Sequence, residues 1–481
     1  MIDTQGIRSR ILALAMQGQL TERMSDDGTA EDLYQQIIIE KQRLLKDGRI
    51  KKDKPFPEIT AEDIPFTIPS NWRWVCLGEL FMHNTGKALN ASNTQGELLE
   101  YITTSNLYWD RFELKDLKQM PFTESELEKC TVHKGDLLVC EGGDIGRSAI
   151  WPFDYEMRIQ NHIHRLRRYS EKIYTKFYYY LLWYYKLTGR INGIGIGLQG
   201  FSSKRVHTLV VPLAPFNEAV CIVDTIEQSF SALGTIDELQ TQYADNLGVL
   251  KGKLIDAAIQ GKLTKQLPED GTAEELYQLV QEERQRQEAA GTIKAVELAP
   301  AISDSDKPFS IPASWKWTNL GNVSYIVRGG SPRPIKQYIT TREDGINWIK
   351  IGDVEKGGKY IYSTHEKIIP EGESKSRRVY PGDFLLTNSM SFGRPYISKI
   401  EGCIHDGWLL IHGLNGFDPD YLYYLLSSTY LYGQFTVKAS GSTVDNLNID
   451  KVKAAIIPLP PLAEQKRIAQ KIDELMPIFD R

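Results

Sequence analysis

The chain has 481 residues, 41% hydrophobic and 25% charged, with a formal net charge of −5. That is ordinary soluble-globular usage, long enough for two or more domains with separate cores. No run approaches the roughly 20 apolar residues that span a bilayer, and Met1-Ile2-Asp3-Thr4-Gln5-Gly6 lacks the basic-then-apolar order of a secretory signal.

The first expected element is a helix within residues 4–20, with Ile7, Ile11 and Leu14 on one stripe. After Gln17-Gly18-Gln19-Leu20-Thr21 the chain breaks, and a shorter helix opens at Gly28-Thr29-Ala30-Glu31. Its N-cap threonine and first-turn acid suit a helix N-terminus, and Gly48 suits its stop. A Pro-, Lys- and Asp-rich linker, Lys51–Asp63, leads to a lobe entered through Pro65-Phe66-Thr67-Ile68-Pro69 with Trp72 and Trp74. Inside that lobe, Val132–Cys140 reads as a turn and strand, followed by a glycine-containing loop ending at Gly146-Arg147. Tyr178-Tyr179-Tyr180-Leu181-Leu182 reads as a buried helix whose tyrosines are core rather than base-stacking groups. The lobe closes with Val210-Val211-Pro212-Leu213-Ala214-Pro215.

From Glu218 to Leu263, apolar residues step mostly by three or four, including Ile222, Ile226, Phe230, Leu233, Ile236, Tyr243, Leu247, Leu250 and Leu254. This is an amphipathic helix near the period of a coiled-coil seam, a rod of roughly 70 Å at about 1.5 Å per residue. The chain then repeats itself. Gln260-Gly261-Lys262-Leu263-Thr264, Gly271-Thr272-Ala273-Glu274, the stop Gly291 and Pro308-Phe309-Ser310-Ile311-Pro312 with Trp315 and Trp317 return in the same order and register. Val379–Thr387, Gly393-Arg394, Tyr421–Leu426 and Ile456-Ile457-Pro458-Leu459-Pro460-Pro461 complete a second lobe. Residues 464–481 then repeat the start of the long helix, with Ile468, Ile472, Leu475 and Phe479 spaced by four, three and four. The second long helix therefore exists as two terminal pieces. Packing with pseudo-two-fold symmetry would join these pieces antiparallel to the central rod; the alternative is that each packs on its own lobe. The C-terminal piece, ending at Arg481, is shorter than a full copy, which bears on how tightly the two would join.

Charge is unevenly distributed. Residues 64–216 carry 18 basic and 15 acidic side chains, and residues 308–460 carry 17 and 14, so each lobe is net +3 while the remaining chain is net −11. Mildly basic lobes on an acidic scaffold suit polyanion-facing modules joined by protein-facing segments, although +3 is equally compatible with an ordinary solvated surface.

Catalytic signatures are lacking. No GxxxxGK[ST], no Asn/Asp-Pro-Pro-Tyr/Phe tetrapeptide and no strand-borne GxGxxG is present. Gly193-Ile194-Gly195-Ile196-Gly197 reads as a flexible contact loop, with Ala439–Thr443 as its counterpart. Asp110 with Glu113-Leu114-Lys115 is a weak acid cluster that the second lobe does not repeat. Cys76, Cys130, Cys140, Cys221 and Cys403 are scattered and form no CxxC pair, as for reduced thiols in the cytoplasm. His162 and His164 share one face of a strand without a carboxylate or Cys partner nearby, which favours packing or a polar contact over a metal.

Pro458-Leu459-Pro460-Pro461-Leu462-Ala463-Glu464-Gln465-Lys466-Arg467-Ile468-Ala469 closely resembles the segment that ends a target-recognition domain and opens the helical spacer in specificity (S) subunits of type I restriction–modification systems. Gly261-Lys262-Leu263-Thr264, the two Gly-Thr-Ala-Glu helices, the Phe-x-Ile-Pro-x-x-Trp-x-Trp entries and Gly-Asp-Leu-Leu resemble that family in both halves. Pro212-Leu213-Ala214-Pro215-Phe216-Asn217-Glu218-Ala219 is a degenerate copy. The resemblance implies an α+β fold: two α/β target-recognition lobes joined by long antiparallel helices in a pseudo-two-fold, circularly arranged duplication. The expected divisions are an N-terminal helical segment and linker (1–63), lobe one (64–216), a central helical spacer and linker (217–307), lobe two (308–460) and a C-terminal helix (461–481).

It further implies a DNA-recognition subunit rather than an enzyme, with no cofactor of its own. Each lobe would read one half of a bipartite, asymmetric double-stranded DNA site, and the helices would set the spacing and hold two modification (M) subunits. Those partners would bind S-adenosylmethionine and methylate adenine, while restriction (R) subunits would use ATP and Mg. The alternatives are a stand-alone DNA-modifying or DNA-cleaving enzyme and a protein-only scaffold. Position and side-chain chemistry nominate DNA contacts at Thr103, Thr104, Ser105 and Asn106, with counterparts at Lys350 and Asp353; at Arg147 and Arg394; at Ser202, Ser203, Lys204 and Arg205; and at Ser442, Thr443 and Asn446. Ile222, Ile226, Phe230, Leu233, Ile468, Ile472 and Leu475 are the expected subunit-docking positions on the helices.

Overall fold

The computed structural model describes every residue except 25–26, 53, 90–94, 192–199, 356, 389–392, 437–446 and 481. The chain divides into two compact units, 1–241 and 242–481, and the division falls inside a 44-residue helix, Phe216–Ile259. That helix is about 66 Å long at the usual rise, close to the rod expected from the apolar stripe.

In the first unit, the entry strand Arg73–Cys76 pairs antiparallel with the exit strand Val210–Leu213. The lobe between them holds one mixed and one antiparallel four-stranded sheet and a small hairpin, Leu107–Tyr108 with Arg111–Phe112. The second unit repeats the clasp, with Lys316–Asn319 against Ile456–Leu459, around two five-stranded sheets. Matching hydrogen bonds lock both clasps. The amide of Leu77 donates to the Leu209 carbonyl and that of Leu320 to the Ala455 carbonyl, each at 2.8 Å. The hydroxyls of Tyr185 and Tyr430 donate to the carbonyls of Val210 and Ile456 (2.9 and 2.8 Å).

The buried tyrosines lie on the helices Thr175–Leu187 and Pro419–Ser427, as core groups. The shorter helices Ala30–Lys46 and Ala273–Ala289 are capped by Thr29 and Thr272, whose hydroxyls accept from Asp32 and Glu275 amides. Gly18 and Gly261 occupy the left-handed region (φ +64° and +71°) against Pro69 and Pro312. A Cβ at either would come within 2.4 or 2.6 Å of a proline ring carbon, which explains the repeated Gln-Gly-x-Leu-Thr.

Two expectations about the helices change. The N-terminal helix Thr4–Met16 buries Thr4, Leu12, Ala15 and Met16, while Ile7 is exposed and Ile11 and Leu14 are half-buried. Polar pins select this face: Thr4 and Arg8 donate to Asp237 (2.5 and 2.8 Å), and Arg8 lies over the Phe230 ring. Successive contacts from Thr4 to Asp237 and from Arg8 to Phe230 make this helix antiparallel to the long one within the first unit. The second change concerns docking. Ile222, Ile226 and, partly, Phe230 belong to the first unit's core, Leu233 is buried, and Ile468 and Ile472 belong to the second unit's core. Leu475 is half-buried. Ile222, Ile226, Ile468 and Ile472 thus pack into their own unit's core, while Phe230 and Leu475 keep part of their surface exposed. Exposed apolar residues lie instead along the middle of the long helix, at Leu239, Tyr243, Val249 and Leu250. No helix among the described residues is long and apolar enough to cross a membrane.

Candidate nucleic-acid interface

The two turns nominated as counterparts are built alike. In the first unit, a turn follows the strand Glu97–Ile102, and Asn106 Oδ1 accepts from the Thr103 amide (2.9 Å) and the Thr103 hydroxyl (2.9 Å). Asn106 Nδ2 donates to the Glu113 carbonyl (3.0 Å), and the Thr103 and Ser105 hydroxyls lie 2.7 Å apart. In the second unit, Asp353 Oδ2 accepts from the Lys350 amide (2.7 Å), while its other oxygen meets the His365 amide and Nδ1 (3.1 and 2.6 Å). Asp353 is 1% exposed. Asn106 and Asp353 therefore brace their turns, an Asx-type local bond. Ser105 is exposed, Thr104 is half-buried, and the half-buried Lys350 is paired to Glu366 (2.9 Å).

The Gly-Arg loops recur with different side-chain placements. Gly146 and Gly393 share φ +81° and donate backward to the carbonyls of Cys140 and Thr387. Arg147 turns inward: it donates to the Thr104 carbonyl at 2.6 Å and lies over the Tyr108 ring, so it joins its loop to the Thr103–Asn106 turn. Arg394 is exposed. Ser202, Ser203 and Lys204 are exposed at the start of the short helix Ser203–His207, and Arg205 is half-buried over the Phe201 ring. Ser442, Thr443 and Asn446, like the Gly193–Gly197 loop, lie outside the described residues.

Part of the lobes' positive charge is structural. Arg165 is buried on the Thr131 carbonyl, Arg167 grips Asp136 (2.6 Å), and Lys87 is buried on Glu126 (2.7 Å). Asp383, the counterpart of Asp136, meets His412 at 3.0 Å; that hydrogen bond raises the His412 pKa. His164 is fully buried between His83 (2.9 Å) and the Phe201 carbonyl (2.6 Å). Burial, aided by the neighbouring His164 and His207, pushes the His83 pKa down to about 3, so this pair is a neutral polar contact. No group of three or more His, Cys, Asp or Glu side chains suits a metal among the described residues.

Sequence reasoning missed a groove of about 1020 Å³ in the second unit, beside the Lys350 turn. Trp348 and Ile339 supply apolar lining, and Arg333, Lys336, Lys350, Glu366, His405 and Asp406 supply polar lining. Asp406 accepts from the Ser331 hydroxyl (3.0 Å) and from Arg333 Nη2 (3.2 Å). Burial opposes ionisation of Asp406, but the Ser331 hydrogen bond, His405 and Arg333 outweigh it and hold the pKa below the usual carboxylate range. The Pro-Arg-Pro run was the available signal: a cation between two prolines is presented on stiff backbone.

Divergent polar turns on one repeated frame make this a duplicated two-unit α+β protein. Residues 69–241 and 312–479 match the family described as type I restriction modification DNA specificity domain, and the chain belongs to that family. It is 25% identical to the type I restriction enzyme EcoAI specificity subunit of Escherichia coli over 568 aligned residues, covering 99% of this chain and 90% of that one. The EcoEI specificity subunit, also of Escherichia coli, is 24% identical and covers 100% and 91%. A solved chain from a study of complex assembly and conformational transition of the type I R-M system superposes with a TM-score of 0.56 at 18% identity, over 86% of this chain and 93% of that one, and shares the fold. The protein is thus a type I specificity subunit, a DNA-recognition component rather than an enzyme.

Proposed function

We propose that each lobe reads one half of a bipartite, asymmetric DNA site, that the long helix sets the interval between the halves, and that two M subunits, with R subunits through them, complete the complex in the cytoplasm. The observation that carries this reading is the contrast between frame and turns. The clasp bonds repeat, whereas the turn that reads Thr103-Thr104-Ser105-Asn106 in the first unit reads Lys350-Ile351-Gly352-Asp353 in the second. Phosphate contacts are served by cations, hydroxyls and amides, and base edges by groups that differ between sequences. Different turns on one frame therefore suit different half-sites. The exposed Leu239, Tyr243, Val249 and Leu250 support partner docking on the middle of the long helix. S-adenosylmethionine would reside on the M subunits, and ATP and Mg on the R subunits, with no cofactor on this chain.

The test is co-expression with the neighbouring methyltransferase subunit and genome-wide mapping of adenine methylation. A split motif, absent when this chain is deleted, is expected. A contiguous motif, or methylation independent of this chain, would reject the bipartite reading.

A further inference from the structure

We propose that Arg333 reads a guanine in the half-site of the second lobe, with Asp406 as its positioning residue and Lys336 on an adjacent phosphate. The inference rests on the proposed DNA-reading role and assigns it a side chain. Arg333 is 81% exposed, yet it is held at both ends. Its backbone lies between Pro332 and Pro334, whose rings fix their own φ and restrict the residue before each. Pro332 is buried, which anchors the loop. At the tip, Arg333 Nη2 meets Asp406 Oδ2 at 3.2 Å, and Asp406 is itself fixed by Ser331 through its other oxygen.

A guanidinium has five N–H donors, and one contact to Asp406 leaves enough for a bidentate pair. Guanine presents O6 and N7 in the major groove at the spacing of that fork, and arginine on this pair is the commonest specific contact there. The ionised Asp406 keeps the fork oriented before DNA arrives, which limits the entropy lost on binding. The rest of the groove fits the same occupant. Lys336 is exposed, Lys350 lines the same groove paired to Glu366 (2.9 Å), and the apolar Trp348 and Ile339 suit a thymine methyl or a sugar face. Three cations, Arg333, Lys336 and Lys350, line the groove against two carboxylates, Glu366 and Asp406, and the excess at Lys336, unpaired among the described residues, favours a phosphate backbone over an apolar peptide.

The experiment uses the complete chain with its methyltransferase subunit and maps methylation for wild type, Arg333→Ala, Arg333→Lys, Asp406→Asn and Lys336→Ala. Arg333→Ala should relax one guanine position of the second half-site, lowering discrimination there by roughly 10- to 100-fold. The first half-site should remain intact, which also reports that the variant is folded. Arg333→Lys should restore the guanine only in part, because an ammonium can reach O6 and N7 but lacks the planar fork that Asp406 orients. Asp406→Asn should relax the same position, and the double variant should add little. Lys336→Ala should weaken binding uniformly and lower the salt slope by about one, without changing the motif. An unchanged motif for Arg333→Ala, or uniform weakening with a smaller salt slope, would overturn the assignment and make Arg333 a phosphate contact or a bystander. If the wild-type complex itself gives no split motif, the proposed function fails, and that result is distinguishable from a failure at Arg333.

Discussion

The two units use the same clasp but satisfy it differently. In the second unit, the buried Glu464 accepts from Trp315 Nε1 (2.7 Å), the Thr264 hydroxyl (3.0 Å) and Gln266 Nε2 (2.9 Å). In the first, among the described residues, the matching Glu218 accepts only from Asn71 (3.1 Å), while Trp72 Nε1, the Thr21 hydroxyl and Glu218 Oε1 are buried without partners. This departure falls where the closing sequence is degenerate, Pro215-Phe216-Asn217-Glu218 against Pro461-Leu462-Ala463-Glu464. A duplicated frame thus tolerates drift in how strongly it is locked, because the strand pairing and the tyrosine bonds are still present in both copies.

The largest expected effect tests that difference. Glu464→Ala removes a carboxylate and strands the Trp315 and Thr264 donors, at a cost of about 3 kcal/mol. Glu218→Ala loses one hydrogen bond and should cost about 1 kcal/mol. Hydrogen exchange reports each unit separately and avoids fitting a two-unit chain as two-state. Equal losses of protection would erase the distinction.

Next in size is the acid response. The folded His83 pKa is lowered to about 3, so the unfolded chain binds a proton that the native one refuses. Stability is therefore full above about pH 6.5 and falls below it, by about 2 kcal/mol at pH 5 from His83 alone. The first unit should lose exchange protection between pH 8 and pH 5, and His83→Gln should flatten the loss. A first unit insensitive to pH over that range would contradict the buried neutral pair.

The smallest effect has the opposite sign. Asp383 raises the His412 pKa, so this pair stabilises the second unit below the unfolded histidine pKa and the benefit is lost as pH rises through the folded one. His412 is about half exposed, and solvent screening limits the change to a few tenths of a kcal/mol. Arg167 holds the matching Asp136 at 2.6 Å, so His412→Arg should remove the dependence from the second unit. A pH response that persists in that variant would place its origin elsewhere.

Much of the frame was legible because repetition exposes it. Gly18 with Gly261, Trp72 with Trp315 and the paired exit strands hold equivalent positions because the same contacts recur. The buried face of the N-terminal helix was not legible: Asp237 selects it through Thr4 and Arg8, a long-range pin that periodicity cannot register. The burial of Ile222, Ile226, Ile468 and Ile472 in their own units was not legible for a related reason, since an apolar stripe does not say whether its own lobe or a partner covers it. Among the contact candidates, Asn106 and Asp353 have the right chemistry for base edges, yet they spend it on bracing their own turns. Arg333 escaped notice because its partner, Asp406, is 73 residues away in sequence.

The central claim, that each lobe carries its own half of the specificity on a common frame, is tested most directly by duplication. Residues 308–460 would be replaced by a copy of 64–216, and the methylation motif of the resulting complex mapped. The account predicts a site whose two halves carry the sequence read by the first lobe, at an unchanged interval. Retention of the original asymmetric motif would contradict it.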